Sequence, residues 1–132
     1  MDAVRFRIVG AVITLLSLAA GGGAAAQGSS DAAARNPVPP APESIAAGKQ
    51  IYLRRCASCH AANAEGGPGN DLIPAAPSLV DDAVKVKTDG QMFNNIKNGV
   101  GPDFNMVPFK DTLKDEEIWN VVNYVRSMAK KK

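Results

Sequence analysis

Apolar residues near the end of the chain recur at Ile118, Val121, Val122, Val125 and Met128, a stripe at i, i+3, i+4 and i+7 that lays one face of an α-helix on a core. Asp115, Glu116 and Glu117 precede the stripe and Lys130, Lys131 and Lys132 follow it, so both charge groups complement the helix dipole. A second helix is predicted from residue 42: Pro42 suits a first turn, Glu43 lies near the positive end of the dipole, and Ile45, Gly48, Ile51 and Tyr52 share a face. Gly48 costs about 1 kcal/mol against Ala in a helix interior, which is tolerable where another helix crosses closely. A third helix opens at Thr88-Asp89-Gly90-Gln91, a capping-box pattern, runs through Met92, Phe93 and Ile96, and closes at Gly99. Residues 60–88, with Gly66, Gly67, Pro68, Gly69, Pro74 and Pro77, keep no period, and neither do residues 100–112. No segment alternates as a strand does, so the expected class is all-α with long loops. Irregular chain of this length inside a compact domain usually needs something to wrap around.

The N-terminal pattern is different in kind. Arg5 and Arg7 are followed by an uncharged apolar run over 8–20 and then by small residues ending in Ala24-Ala25-Ala26, the layout of a secretory signal. Residues 1–26 are therefore expected to be a signal peptide, with Gln27 as the new N-terminus. The competing reading is an uncleaved membrane anchor, since residues 8–26 carry no charge and nearly reach spanning length. In both readings the rest of the chain leaves the cytoplasm. Residues 27–41, rich in Ser, Ala and Pro and lacking a period, are expected to be a linker or tail, leaving 42–132 as the domain. A core of that size is marginal without a disulfide, a metal or a held cofactor. A formal charge of +2, with bases scattered among acids, argues against nucleic acid as a partner.

Both cysteines and the only histidine of the chain stand together, in Cys56-Ala57-Ser58-Cys59-His60. A disulfide here would close a loop too short to contribute much. A redox dithiol of the thioredoxin kind needs a βαβ context, and a closed zinc site needs a fourth N or S ligand. The spacing C-x-x-C-H instead matches covalent attachment of haem c, one group joined through Cys56 and Cys59. Two cysteines three residues apart on a turn can each add to one porphyrin vinyl group, and the next side chain then points at the iron. His60 would ligate through Nε2, its Nδ1–H donated to a carbonyl that fixes the ring. On the opposite face only methionines are soft candidates. Met92 and Met128 lie on apolar helix stripes and read as core. Met106 lies in the loop GPDFNMVPFKD, off any period and just before Pro108-Phe109, and is the candidate sixth ligand; the other reading is a loop methionine that covers the core.

With Gly48 and Tyr52 ahead of the C-x-x-C-H motif, Pro77-Ser78-Leu79 after it, Met106 ahead of Pro108-Phe109, and IWNVVNYVRS near the end, residues 42–129 resemble the class I c-type cytochromes, small monohaem proteins of bacteria. The resemblance implies the cytochrome c fold, about three to five helices with long loops around one covalently bound haem. It implies that the first helix crosses the last, with Gly48 near Val121 and Tyr124. It also implies that Pro77 supplies the carbonyl for His60, that Leu79 packs on the haem, and that Met106 is the sixth ligand. Two departures are Val107 between Met106 and Pro108, and Lys114 where family members often place Ser before the last helix.

The expected function is one-electron transfer by a His/Met-ligated iron cycling between Fe(III) and Fe(II), in the periplasm, with no substrate pocket and no catalysis. Expected partners are periplasmic dehydrogenases, respiratory complexes or terminal oxidases, met by a monomer; membrane contact is expected only if the N-terminal segment stays uncleaved. Alternatives are a haem subunit tethered to a larger dehydrogenase or oxidase, and a ligand-binding haem enzyme or sensor. Lys97, Lys110 and Lys114 flank the Met106 loop and would steer acidic partners, or are ordinary solvated lysines.

Overall fold

The computed structural model describes residues 34–67, 75–102 and 105–129. The expected signal peptide, residues 27–33 of the expected linker and the lysines at 130–132 lie outside the described residues. Five helices follow in order: α1 (Pro42–Arg55), α2 (Ala57–His60), α3 (Asp82–Lys85), α4 (Asp89–Asn98) and α5 (Asp115–Ala129). Among the described residues there is no strand, only two isolated antiparallel bridges, Gly67 with Ala76 and Val100 with Met106. The fold is the all-helical one expected.

The frame is the crossing of α1 on α5. The apolar stripe of α5 is buried, with Ile118 and Val122 fully so, and it meets Ile51 and Tyr52 of α1. Gly48 lies at the crossing point: a Cβ there would stand 2.0 Å from the Asn120 carbonyl oxygen and 3.0 Å from the Tyr124 Cβ. A hydrogen is the largest group that fits, and this contact outweighs the helix-interior cost of glycine. Tyr52 and Tyr124 meet edge to face beside the crossing, ring centroids 5.3 Å apart.

Helix α4 packs on the other flank of α5 through a stacked pair, Phe93 and Trp119, with centroids 4.1 Å apart. Its capping box is complete: Thr88 Oγ1 accepts from the Gln91 N–H at 3.1 Å and Gln91 Oε1 accepts from the Thr88 N–H at 2.8 Å. Gly99, at φ 77°, ends it. Before α5, Lys114 offers no capping side-chain oxygen, yet Glu117 Oε2 still accepts from the Lys114 N–H at 2.8 Å, so half of a capping box remains. The four-residue helices α2 and α3 are too short to leave a period in the sequence.

Residues 34–41 differ from the expected loose linker. Asn36 Nδ2 donates to the Trp119 carbonyl at 3.0 Å and to Asn123 Oδ1 at 2.9 Å, while Asn123 Nδ2 donates to the Val38 carbonyl at 3.0 Å. Asn123 also donates to Ser44 Oγ at 2.9 Å, and the Ser44 hydroxyl donates to Asn120 Oδ1 at 2.6 Å. Gly90 N–H donates to the Ala34 carbonyl, and Val38 rests on the core. The buried Asn123 is satisfied only because this segment returns to it, so the ordered domain begins upstream of residue 42.

Candidate functional site

The site starts where α1 stops. The Cys56 N–H still donates to the Tyr52 carbonyl at 2.8 Å, and the His60 N–H donates to the Cys56 carbonyl at 2.9 Å. The five-residue motif therefore winds one tight turn, with both sulfurs half-buried and His60 only 7% exposed. Burial, and secondarily the neighbouring Cys59, push the Cys56 thiol up to about 11. A nucleophilic redox cysteine needs the opposite shift, so the microenvironment speaks against a thiol–disulfide exchange site.

His60 Nδ1 lies 3.1 Å from the Pro77 carbonyl oxygen. With the proton on Nδ1 as the donor, the Nε2 lone pair is left free to bind a metal. Backbone turns bring Pro77 to that place. Gly66, at φ 68°, donates its N–H to the His60 carbonyl at 3.0 Å, and a Cβ on it would fall 2.5 Å from the Ala76 carbonyl oxygen and 2.8 Å from the Pro77 carbonyl carbon. The Leu79 N–H donates to the Ala64 carbonyl at 2.7 Å, which fixes Leu79 in the same wall. Ala61 and Ala64 both take positive φ, 63° and 61°, unusual for a residue with a side chain. The Tyr52 hydroxyl donates to the Ala61 carbonyl at 2.8 Å, holding that turn from below. Burial, with Cys56 and Tyr124 as lesser causes, holds the Tyr52 phenol well above its ordinary value.

Met106 approaches from the other loop. Its backbone exchanges two hydrogen bonds with Val100, at 3.0 and 3.3 Å, and the Phe109 N–H donates to the Ile96 carbonyl at 3.1 Å. The loop is thus tied to the C-terminal end of α4 at Met106 and again at Phe109. Between the two walls lies a cavity of about 740 Å³, lined by all six residues singled out from the sequence: Cys56, Cys59, His60, Pro77, Leu79 and Met106. Met92, Ile96, Phe109, Val121 and Val125 make the rest of its wall largely apolar. Met92, read as core, is both core and cavity wall; Met128 is half-buried against the core and is not among the lining residues. Val100 and Val107, 43% and 56% exposed, stand at the mouth.

The cavity suits a haem. Its volume is that of a cofactor pocket, its walls are apolar, two thiols sit on one turn at its edge, and a buried imidazole has its Nδ1 engaged by the Pro77 carbonyl with Nε2 left over for a metal. Sequence reading missed the polar residues of the lining, Arg55, Lys87, Asn95 and Asn105; nothing in their spacing marks them. Of the three lysines proposed for steering, Lys97 is bound to Asp115 at 2.9 Å and lies 5.2 Å from the centre of the Phe93 ring, whereas Lys110 and Lys114 are exposed.

Helices crossing at a glycine, a C-x-x-C-H turn and an apolar slot define a c-type cytochrome of the small class I kind. A family model described as cytochrome c oxidase, cbb3-type, subunit III matches residues 43–125, and the chain belongs to that family. It carries haem c, bound covalently through Cys56 and Cys59. Among curated proteins it is similar to the cytochrome c6 of Cyanidium caldarium, 34% identical over 87 residues that cover 64% of this chain and 71% of the relative. The cytochrome c6 of Gracilaria tenuistipitata var. liui is 37% identical over 82 residues, 60% of this chain and 68% of the relative. A nitrite reductase of Stutzerimonas stutzeri is 34% identical over 96 residues, 65% of this chain but 17% of that protein.

Proposed function

We propose that this cytochrome is an exported one-electron carrier whose iron is held by His60 and Met106, working in the periplasm between larger redox proteins. The observation that carries the reading is that His60 and Met106 line one apolar cavity from two independently anchored walls. Bound haem c supplies one iron that takes up and releases a single electron. The chain's residues do the rest. Pro77 orients the imidazole, the Val100–Met106 pairing limits how far the thioether can move, and Leu79, Ile96 and Phe109 give the cavity an apolar wall that would exclude water from the group it holds. Held by these two side chains, the iron would keep the same ligands in both oxidation states, and the thioether would favour the ferrous form and raise the potential. The kinship with cytochromes c6 supports a carrier and not an enzyme.

The test is spectroscopic. The ferrous holoprotein should resist carbon monoxide, and Met106→Ala should lose the sulfur-to-iron absorption band of the ferric state and admit the gas. A parent protein that binds carbon monoxide rapidly, or a Met106→Ala spectrum identical to the parent's, rejects His/Met ligation and favours a ligand-binding haem.

A second reading makes the chain the haem domain of a larger assembly. It is favoured by the match to a nitrite reductase of which these residues would form a sixth or so, and a lasting N-terminal anchor would serve it. Mass spectrometry of the exported protein's N-terminus separates the two: a chain starting at Gln27 supports the free carrier.

A further inference from the structure

Two cationic residues, Arg55 and Lys87, both exposed, stand among those that line the cavity, and no carboxylate does among the described residues. Haem c brings two propionate carboxylates into that space. A porphyrin carries its thioether-forming vinyl positions along one edge and its propionates along the opposite edge. The end that meets Cys56 and Cys59 is therefore not the end that needs a cation. Arg55 directly precedes Cys56 and belongs to the thioether end. Lys87 stands on another part of the chain, beside the residue that caps α4.

We infer that Lys87 binds a haem propionate and that Arg126 is the residue that positions it. The three guanidinium nitrogens of Arg126 are all engaged on the segment that carries Lys87. Nε donates to Asp89 Oδ1 at 2.9 Å, Nη1 donates to the Lys85 carbonyl at 3.2 Å, and Nη2 donates to the carbonyl of Lys87 itself. This pins the backbone on both sides of Val86, which is turned out to solvent at 81% exposure, and leaves Lys87 on the cavity side. No carboxylate among the described residues pairs with the Lys87 ammonium, whereas its neighbour Lys85 is bound to Asp82 at 3.0 Å. A planar fork suits the holding of backbone oxygens and a compact ammonium on a long stem suits a carboxylate, so the division of labour between Arg126 and Lys87 follows their chemistry. A propionate neutralised in this way destabilises ferrous iron less than a bare one does, which makes Lys87 a determinant of the reduction potential.

The inference rests on haem attachment at Cys56 and Cys59 and is independent of the sixth ligand, so the Met106→Ala experiment and the following one fail separately. In the holoprotein, resonance Raman spectra report the propionate bending bands and a redox titration reports the midpoint potential. Lys87→Gln should shift a propionate band and lower the potential; Lys87→Arg should restore both most of the way. Arg126→Lys, which keeps the charge but loses the fork, should move the same band in the same direction by a smaller amount. Arg55→Gln should leave the propionate bands where they are. An unmoved band in Lys87→Gln, or a shift produced by Arg55→Gln in its place, overturns the assignment, and an unmoved band in Arg126→Lys overturns the positioning role.

Discussion

Among the described residues, Ala61 is one whose backbone departs far from what its side chain prefers. Its φ of 63° and ψ of 159° fall in a region that is essentially reserved for glycine. The turn tolerates this because the Ala61 carbonyl must point at the Tyr52 hydroxyl while the chain reverses toward Ala64. Ala61→Gly is expected to raise stability by about 1 kcal/mol, the relieved strain exceeding the added freedom of the unfolded chain; thermal unfolding of the holoprotein checks it. Tyr52 makes a second prediction. Its phenol titrates at an ordinary value of 10.0 when unfolded and higher when folded. The folded state then retains a proton that the unfolded state loses, so this contribution is complete below pH 10 and fades as pH climbs through the raised folded value, at most about 1.4 kcal/mol per pH unit. Denaturant titrations from pH 9 to 12 should show stability falling, with a shallower fall in Tyr52→Phe. Equal slopes in the two proteins would show that another group is responsible. At this scale the sequence spoke clearly for the motif residues, because C-x-x-C-H and its lone histidine carry their chemistry in their spacing. It was silent on Lys87 and Arg55, polar residues outside any period whose relevance arises only once two distant loops face each other.

At the scale of elements, helix ends were readable and helix contacts less so. The capping box at Thr88 and the stop at Gly99 are local chemistry, written within four residues of the ends they define. Gly48 gave its contact away because a glycine inside an amphipathic helix needs a reason, and the Asn120 carbonyl supplies one. Gly48→Ala should cost about 2 kcal/mol or more in spite of alanine's better helix propensity, since the clash is with backbone and the two helices must separate. Equilibrium unfolding measures the loss, and a variant as stable as the parent would mean that the crossing is looser than described. The ties of segment 34–41 are hidden in the sequence for the complementary reason. Its Ala and Pro content resembles a tether, while the partners of Asn36 and Val38 lie more than eighty residues away on α5. Composition reports local preference, and a buried asparagine demanding hydrogen bonds is a tertiary fact. The stacking of Phe93 on Trp119 escaped notice for the same reason.

The whole molecule is built around a space that it does not itself fill. Residues on α1, α4 and α5 that form the core also face the cavity, Tyr52, Ile96 and Val125 among them, so the cofactor and the side chains share one apolar interior. Without haem, that interior would face water on one side, and the fold would lose much of its burial. A Cys56→Ala, Cys59→Ala double variant, made without attached haem, should therefore show greatly reduced helical circular dichroism; native-like helicity would mean that the polypeptide frame is self-sufficient. The long loops, unexplained as sequence, are the two walls of that space, and their glycines and tight bridges serve its shape.

The docking of residues 34–41 onto α5 also sets the length of any leash. Were the N-terminal apolar run to stay embedded after export, the span available between bilayer and globule would be 27–33, about half of what composition suggested. Seven residues reach no more than about 25 Å even when fully drawn out. An anchored form would keep residue 34 within that short radius of the lipid surface and exchange its electrons no farther out than the globule then reaches, whereas a clipped form would roam.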